Sequence, residues 1–183
     1  MKKLLSKFFF WISGWKIVGE TELPDKCIVI AAPHTSNWDF IFGRCAAYII
    51  GINPKYLIKS EFFVPILGSF FRLNGGIPVY RNSKNNIVEQ ITHLYNLNDK
   101  LIISIAPEGT RSKVERWKTG FYYIALKANI PIVLSKIDYQ KKELGFMAKF
   151  NPNGDIEKDF DFIQEKYKDV KGKIVENYNP KIY

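Results

Sequence analysis

Cysteine and histidine are scarce in this sequence, two of each among 183 residues, and the scarcity closes several routes at once. Cys27 and Cys45 sit in apolar stretches without the paired spacing that a disulfide framework or a zinc site needs. They read as two small buried hydrophobes. No stretch reaches the roughly 18 to 20 uninterrupted apolar residues of a membrane-spanning helix. No Gly-x-Ser-x-Gly sequence offers the nucleophile elbow of a serine hydrolase. An export signal is not expected either, because Lys7 interrupts the apolar opening and no small-residue cleavage site follows. Internal repeats, low-complexity tracts and an interdomain linker are also missing.

What is present is a hydrophobic share of 46%, enough to bury one well-formed core, in a length that suits one domain better than two. The net charge of +9 calls for an anionic partner: nucleic acid, an anionic membrane surface or a phosphate-bearing substrate. Nucleic acid is the poorest of these, since neither a recognised module nor an aromatic-basic single-strand platform can be read. In Met1 to Gly19, four lysines are interspersed with aromatic and aliphatic residues, and Leu4, Leu5, Phe8, Ile12 and Trp15 share a face on a helical period. Two readings are open. The stretch is an amphipathic helix lying in a membrane interface, with lysines on anionic lipid, or a terminal helix packed on its own domain.

Apolar β-prone runs at Lys26–Ala32, Lys55–Lys59, Leu101–Ile105 and Ile130–Leu134 alternate with helical periodicities over Phe40–Ile50, Asn85–Leu97, Phe121–Ala128 and from Asp155 onward. Leu144–Phe150 reads as a hairpin partner of the strand before it. The alternation predicts an α/β fold: a single domain over residues 20–183, built on a mixed, mostly parallel sheet flanked by helices, preceded by the interfacial helix of residues 1–19. Phe62 to Phe71 is rich in aromatic and aliphatic side chains but broken by Pro65 and Gly68. It lines an acyl channel, touches lipid or forms a buried helix.

The best clue to chemistry is His34, directly after the first buried run, with Asp39 five residues on. Open α/β sheets place ligands at strand carboxyl ends. Ser36 or Asn37 can cap the following helix, which puts Asp39 in its first turn, close enough to turn back. An imidazole that takes a proton from a hydroxyl needs its other ring nitrogen held by an acceptor, and Asp39 is placed to be one. The plain alternative makes Asp39 an acid favoured near a helix N-terminus. Two more polar clusters follow strand-like runs. One ends in Arg81, a phosphate-gripping fork or a solvated charge. The other runs from Glu108 to Ser112, where Gly109 permits a turn close to a ligand.

Together these residues resemble the glycerolipid acyltransferases typified by 1-acylglycerol-3-phosphate acyltransferase. The family's His-x-x-x-x-Asp block is matched by His34 to Asp39. Its glycine-apolar-arginine block is matched by Gly76 to Arg81, its Pro-Glu-Gly-Thr-Arg-Ser block by Pro107 to Ser112, and its proline-centred apolar run by Ile130 to Val133. Order and approximate separation agree over about residues 27 to 135. The chain departs from the pattern at Ala106, where the family has an aromatic residue, and in Ile77-Pro78-Val79-Tyr80. Both departures bear on the acceptor more than on the chemistry.

The resemblance implies transfer of a fatty acyl group from an acyl-CoA or acyl carrier protein thioester to the hydroxyl of a lyso-phospholipid such as 1-acylglycerol-3-phosphate. His34 would be the general base and Asp39 its orienter. Arg81, Glu108, Gly109, Thr110, Arg111 and Lys118 would bind or shape the acceptor. No metal or further cofactor is implied. The expected partners are the thioester donor, the lyso-lipid and an anionic membrane surface; the expected place is peripheral, on the cytoplasmic face of a bacterial membrane. A lipid-surface binding protein without turnover, or acylation of a non-glycerolipid acceptor, is the competing expectation.

Overall fold

The computed structural model describes residues 1–80 and 87–183. The apolar runs form a seven-stranded sheet from β1 (Lys16–Val18), β2 (Lys26–Ala32), β3 (Lys55–Lys59), β4 (Gly76–Val79), β5 (Leu101–Ile105), β6 (Ile132–Asp138) and β7 (Glu143–Phe150). The strand order is β1-β7-β6-β2-β5-β3-β4. All pairings are parallel except β6 with β7, which form the expected hairpin. The sheet is therefore mixed and mostly parallel, as the alternation of strand and helix patterns predicts. Pro78 sits in β4 at the sheet's edge, where its missing N–H leaves no ladder bond unmade on the outer side.

Among the described residues six α-helices accompany the sheet: α1 (Lys2–Ser13), α2 (Trp38–Ile50), α3 (Leu67–Leu73), α4 (Ile87–Leu97), α5 (Gly120–Ala128) and α6 (Ile156–Tyr167). The main core joins Ile28 and Ile30 of β2, Ile103 of β5 and Leu134 of β6 to Ile91, Ile124, Phe160 and Ile163 from the helices. Each such side chain taken fully out of water contributes roughly 1.5–3 kcal/mol. A second cluster binds α1 and α2 to the β6–β7 hairpin through Phe10, Trp15, Phe42, Ala46, Ile137 and Leu144.

Two local outcomes differ from the sequence pattern. The opening helix stops at Ser13, because Gly14 takes a left-handed conformation (φ 72°) and its N–H returns to the carbonyls of Phe10 and Trp11. Lys16–Val18 then joins the sheet as an edge strand parallel to β7. The turn also redirects Trp15: instead of sharing a face with Leu4, Leu5, Phe8 and Ile12, it is buried and stacked on Phe42 at 4.2 Å. The helix thus has a packed side, with Ser6 and Phe10 buried, and an exposed one carrying Leu4, Leu5, Phe8, Trp11 and Ile12. The second concerns Phe62 to Phe71, where of the three readings left open the buried helix is the one the fold does not adopt. A 3₁₀ turn at Ser60–Phe62 and the short α3 leave Phe62, Val64, Ile66, Leu67 and Phe70 exposed, with Leu73 beyond them. No helix among the described residues is long and apolar enough to cross a membrane.

Candidate active site

Three neighbouring strands end on the same side of the sheet. The β2–β5 register pairs Ile30 with Ile105, and the β2–β6 register pairs Ala32 with Lys136. In parallel strands, those registers bring the residues just past each carboxyl end together. His34 follows β2, Glu108 follows β5 and Tyr139 follows β6.

Asp39 is the centre of the arrangement. Its side chain is buried, and it lies in the first turn of α2. Oδ2 accepts the backbone N–H groups of Thr35 and Ser36, each at 2.8 Å, and stands 3.1 Å from Nδ1 of His34. Oδ1 accepts the hydroxyl of Tyr139 at 2.7 Å. Asn37 stands at the helix N-cap but makes no side-chain cap bond. Ser36, the other cap candidate, accepts the Trp38 N–H through Oγ at 3.3 Å, while the Asp39 carboxylate holds the loop that precedes the helix. A hydrogen bond from Nδ1–H to Asp39 leaves the lone pair of His34 on Nε2, which has no protein partner among the described residues. The imidazole keeps 21% of its surface open, against 1% for Asp39, so the ring has an accessible edge and a sealed support.

Glu108 faces inward. It is 4% exposed, and Oε1 accepts the backbone N–H of His34 at 2.9 Å, while Oε2 has no partner among the described residues. Burial pushes its carboxyl above the ordinary glutamate range, with the His34 N–H pulling the other way. Glu108 therefore faces into the protein and holds the His34 backbone. Gly109 turns the chain in a left-handed conformation (φ 66°) directly against Lys118: a Cβ there would lie 2.8 Å from Nζ. The Lys118 N–H donates to the Pro107 carbonyl at 2.9 Å, which fixes that lysine beside the turn. Thr110 and Arg111 are exposed, and Thr110 Oγ1 accepts the Ser112 N–H at 3.3 Å. Arg81 lies outside the described residues.

Two parts of the site had no counterpart in the motifs. Tyr139 is held with Trp15 at 4.9 Å and Phe42 at 6.0 Å between ring centroids, and burial together with the Asp39 carboxylate raises its phenol, so it remains a donor. Position alone could have flagged it, since a polar residue just past a buried parallel strand is what drew attention to His34. The other part is the segment after α6. The Lys171 carbonyl accepts the Tyr139 N–H at 2.9 Å, the Ile174 N–H donates to Thr35 Oγ1 at 3.2 Å, and Lys173 stands 4.8 Å over the Trp38 ring. It clamps the histidine loop from outside, and nothing in its own composition announces that role.

A family model described as acyltransferase matches residues 15–134. The chain belongs to the acyltransferase family. The matched region of this acyltransferase-family chain contains His34, Asp39 and the Glu108–Ser112 block, and it ends before Tyr139 and the clamp. The chain is 32% identical over 126 residues to the 1-acyl-sn-glycerol-3-phosphate acyltransferase of Saccharomyces cerevisiae, covering 64% of this chain and 41% of that protein. To the enzyme of the same name from Salmonella typhimurium it is 31% identical over 112 residues, covering 57% and 44%. It thus spans less than half the length of these curated relatives. The crystal structure of the 1-acyl-sn-glycerophosphate acyltransferase from Thermotoga maritima superposes with a TM-score of 0.60 at 18% identity, over 96% of this chain and 75% of that one. That likeness establishes the acyltransferase fold for the sheet and helices described above.

Proposed function

We propose that this family member transfers a fatty acyl group from an acyl thioester, carried on coenzyme A or acyl carrier protein, to the free hydroxyl of 1-acylglycerol-3-phosphate. The observation that carries the reading is the His34–Asp39 pair: an imidazole anchored through Nδ1 to a buried carboxylate, with Nε2 free at the end of a central strand. The names of the curated relatives support the acceptor.

In this reading Nε2 of His34 takes the proton of the acceptor hydroxyl as its oxygen attacks the thioester carbonyl. Asp39 holds the ring and stabilises the imidazolium. The tetrahedral intermediate collapses by breaking the carbon–sulfur bond, and the imidazolium returns the proton to the departing thiolate. General-base assistance of this kind is worth about 10²- to 10⁴-fold in rate, with positioning and oxyanion stabilisation supplying more. Glu108 keeps the His34 backbone in place. Gly109, Thr110, Arg111 and Lys118 offer a basic, open rim for the acceptor's phosphate, and Arg81 belongs to the same proposal.

The exposed side of α1 and the apolar Phe62–Leu73 segment would rest in the membrane interface, while the lysines meet anionic lipid. In this reading the enzyme works peripherally, where the lyso-lipid is delivered, and the expected side is the cytoplasmic face. The test is a matrix of acyl-CoA and acyl carrier protein donors against 1-acylglycerol-3-phosphate, lysophosphatidylcholine and glycerol-3-phosphate, with products separated chromatographically. Phosphatidic acid formed from 1-acylglycerol-3-phosphate is the expected product. Acylation of another acceptor with none of this one would overturn the assignment.

A further inference from the structure

At the far end of α2 from the catalytic pair, a recess of about 330 Å³ opens between the start of α1, the end of α2 and the end of α3. Lys2, Arg44, Tyr48, Asn53 and Leu73 line it, and no carboxylate does. The ammonium of Lys2 stands 5.3 Å and the guanidinium carbon of Arg44 5.0 Å from the centre of the Tyr48 ring. Arg44 is set in place through Nη1, which donates to the Pro54 carbonyl at 3.1 Å, and Nη2, which donates to the Tyr48 hydroxyl at 3.2 Å. Its Nε is buried without a partner, and neither cation is ion-paired among the described residues.

The consequence lies in the Tyr48 hydroxyl. Its oxygen already accepts from Arg44, so its proton is available to a group entering the recess, and no acceptor among the described residues takes it. Two uncompensated cations and one outward donor converge on a single recess. That is the donor set of an anion site, and the guanidinium and ammonium suit phosphate oxygens in particular. Arg44, foremost, and Lys2 also draw the Tyr48 phenol below its ordinary range, which strengthens it as a donor. One edge of the recess is aliphatic: Leu73 is 88% exposed. The apolar side of α1 begins two residues after Lys2, with Leu4 and Leu5 exposed.

We propose that this recess binds the phosphate head group of a membrane phospholipid, as a docking site separate from the acceptor site at His34. Asp39 and Tyr48 are nine residues apart on one helix, which at 1.5 Å per residue separates them by about 14 Å along its axis. In a lyso-phosphatidic acceptor the hydroxyl and phosphate are only a few bonds apart. One acceptor molecule cannot reach both places. A phosphate site edged by leucines, next to the apolar side of α1, fits a lipid that is held while the reaction proceeds elsewhere. The inference rests on the reading of α1 as a membrane-facing helix.

The test uses the full chain and its Tyr48→Phe, Arg44→Gln and Lys181→Gln variants, the last removing an exposed charge on another part of the surface. Binding is measured by sedimentation with phosphatidylcholine vesicles, with and without phosphatidic acid, and separately with inorganic phosphate in solution. The expected result is about tenfold weaker binding to phosphatidic acid vesicles for Tyr48→Phe and Arg44→Gln, equivalent to about 1.4 kcal/mol. Lys181→Gln should bind nearly as the parent does, and acyl transfer to detergent-dispersed acceptor should be unchanged in all. Tyr48→Phe keeps the charge and the ring, so it decides the matter if Arg44→Gln fails to fold. Parent-like vesicle binding by Tyr48→Phe overturns the site. If inorganic phosphate binds the parent and not the variants while vesicle binding is equal in all, the site takes free phosphate and the lipid assignment is overturned. A parent chain that binds no vesicles at all overturns the membrane reading of α1 together with this site.

Discussion

Tyr139 donates its hydroxyl to Oδ1 of Asp39 at 2.7 Å across a sequence separation of 100 residues, so the residue that orients His34 is itself oriented from the end of another strand. Trp15 and Phe42 hold the Tyr139 ring, which ties the His34–Asp39 pair to the base of α1. In Tyr139→Phe the packing survives and only the donor is lost. The buried carboxylate then has an unsatisfied oxygen, at a cost of about 1.5–3 kcal/mol in stability, measured by chemical denaturation. Losing that donor also loosens the carboxylate that holds the His34 ring. In folded protein kcat should fall with little change in KM, whereas a purely structural role for Tyr139 would leave kcat in place.

Asp39→Asn keeps the size of the side chain but offers an amide where three N–H groups now converge on the carboxylate. Turnover should fall by at least about 10²-fold, because the imidazole loses its tautomer control and its counter-charge. The amide keeps its oxygen where Oδ2 stands only by turning its NH2 towards the Tyr139 hydroxyl, and otherwise sets the NH2 against the three N–H donors, so a loss of stability should accompany the loss of rate. Steady-state kinetics beside denaturation separates the two effects, and a rate loss that persists in fully folded protein is the expected outcome.

Glu108→Gln tests the buried carboxyl. Because folding raises its affinity for a proton, the folded chain binds more protons than the unfolded one between the unfolded and folded titrations. The stability contributed by Glu108 is full below the unfolded glutamate range and is lost as pH rises through the folded value. Glutamine can still accept the His34 N–H and has no charge to bury. The variant should gain on the parent as pH rises from acid to neutral, seen as a crossing or converging pair of denaturation-midpoint curves. Parallel curves would contradict the inward-facing carboxyl.

Gly109→Ala places a methyl group in a left-handed conformation and against the Lys118 ammonium. The backbone cost is about 1–2 kcal/mol, readable as a lower thermal midpoint. Because Lys118 must swing away from the turn, the KM for the phosphate-bearing acceptor should rise more than kcat falls. A change confined to stability would remove Lys118 from the acceptor rim.

Much of this was legible in the residues, for physical reasons that differ from part to part. The alternation of buried strands and amphipathic helices predicts the parallel sheet, and the sheet's registers then place His34 and Glu108 side by side. The direction of Glu108 was not legible, since a Pro-Glu-Gly turn can present its carboxylate outward or fold it inward with the same local sequence. Trp15 was misplaced by periodicity alone, because a left-handed Gly14 ends the helix and turns the tryptophan into the core. Phe62 to Phe71 shows the limit of composition: its apolar side chains suit a core or a lipid surface equally, and only the fold leaves them exposed. The Tyr139–Asp39 and Ile174–Thr35 contacts span 100 and 139 residues, which no local pattern encodes.

The central claim is that His34 removes the proton from the acceptor hydroxyl. Its most direct test is acyl transfer from an acyl thioester to 1-acylglycerol-3-phosphate, following released thiol and phosphatidic acid together, for the parent chain and His34→Ala at equal folded concentration. The account predicts that both products fall by about 10²- to 10⁴-fold in the variant while its thermal midpoint stays near that of the parent. Equal product formation by the two proteins would contradict it.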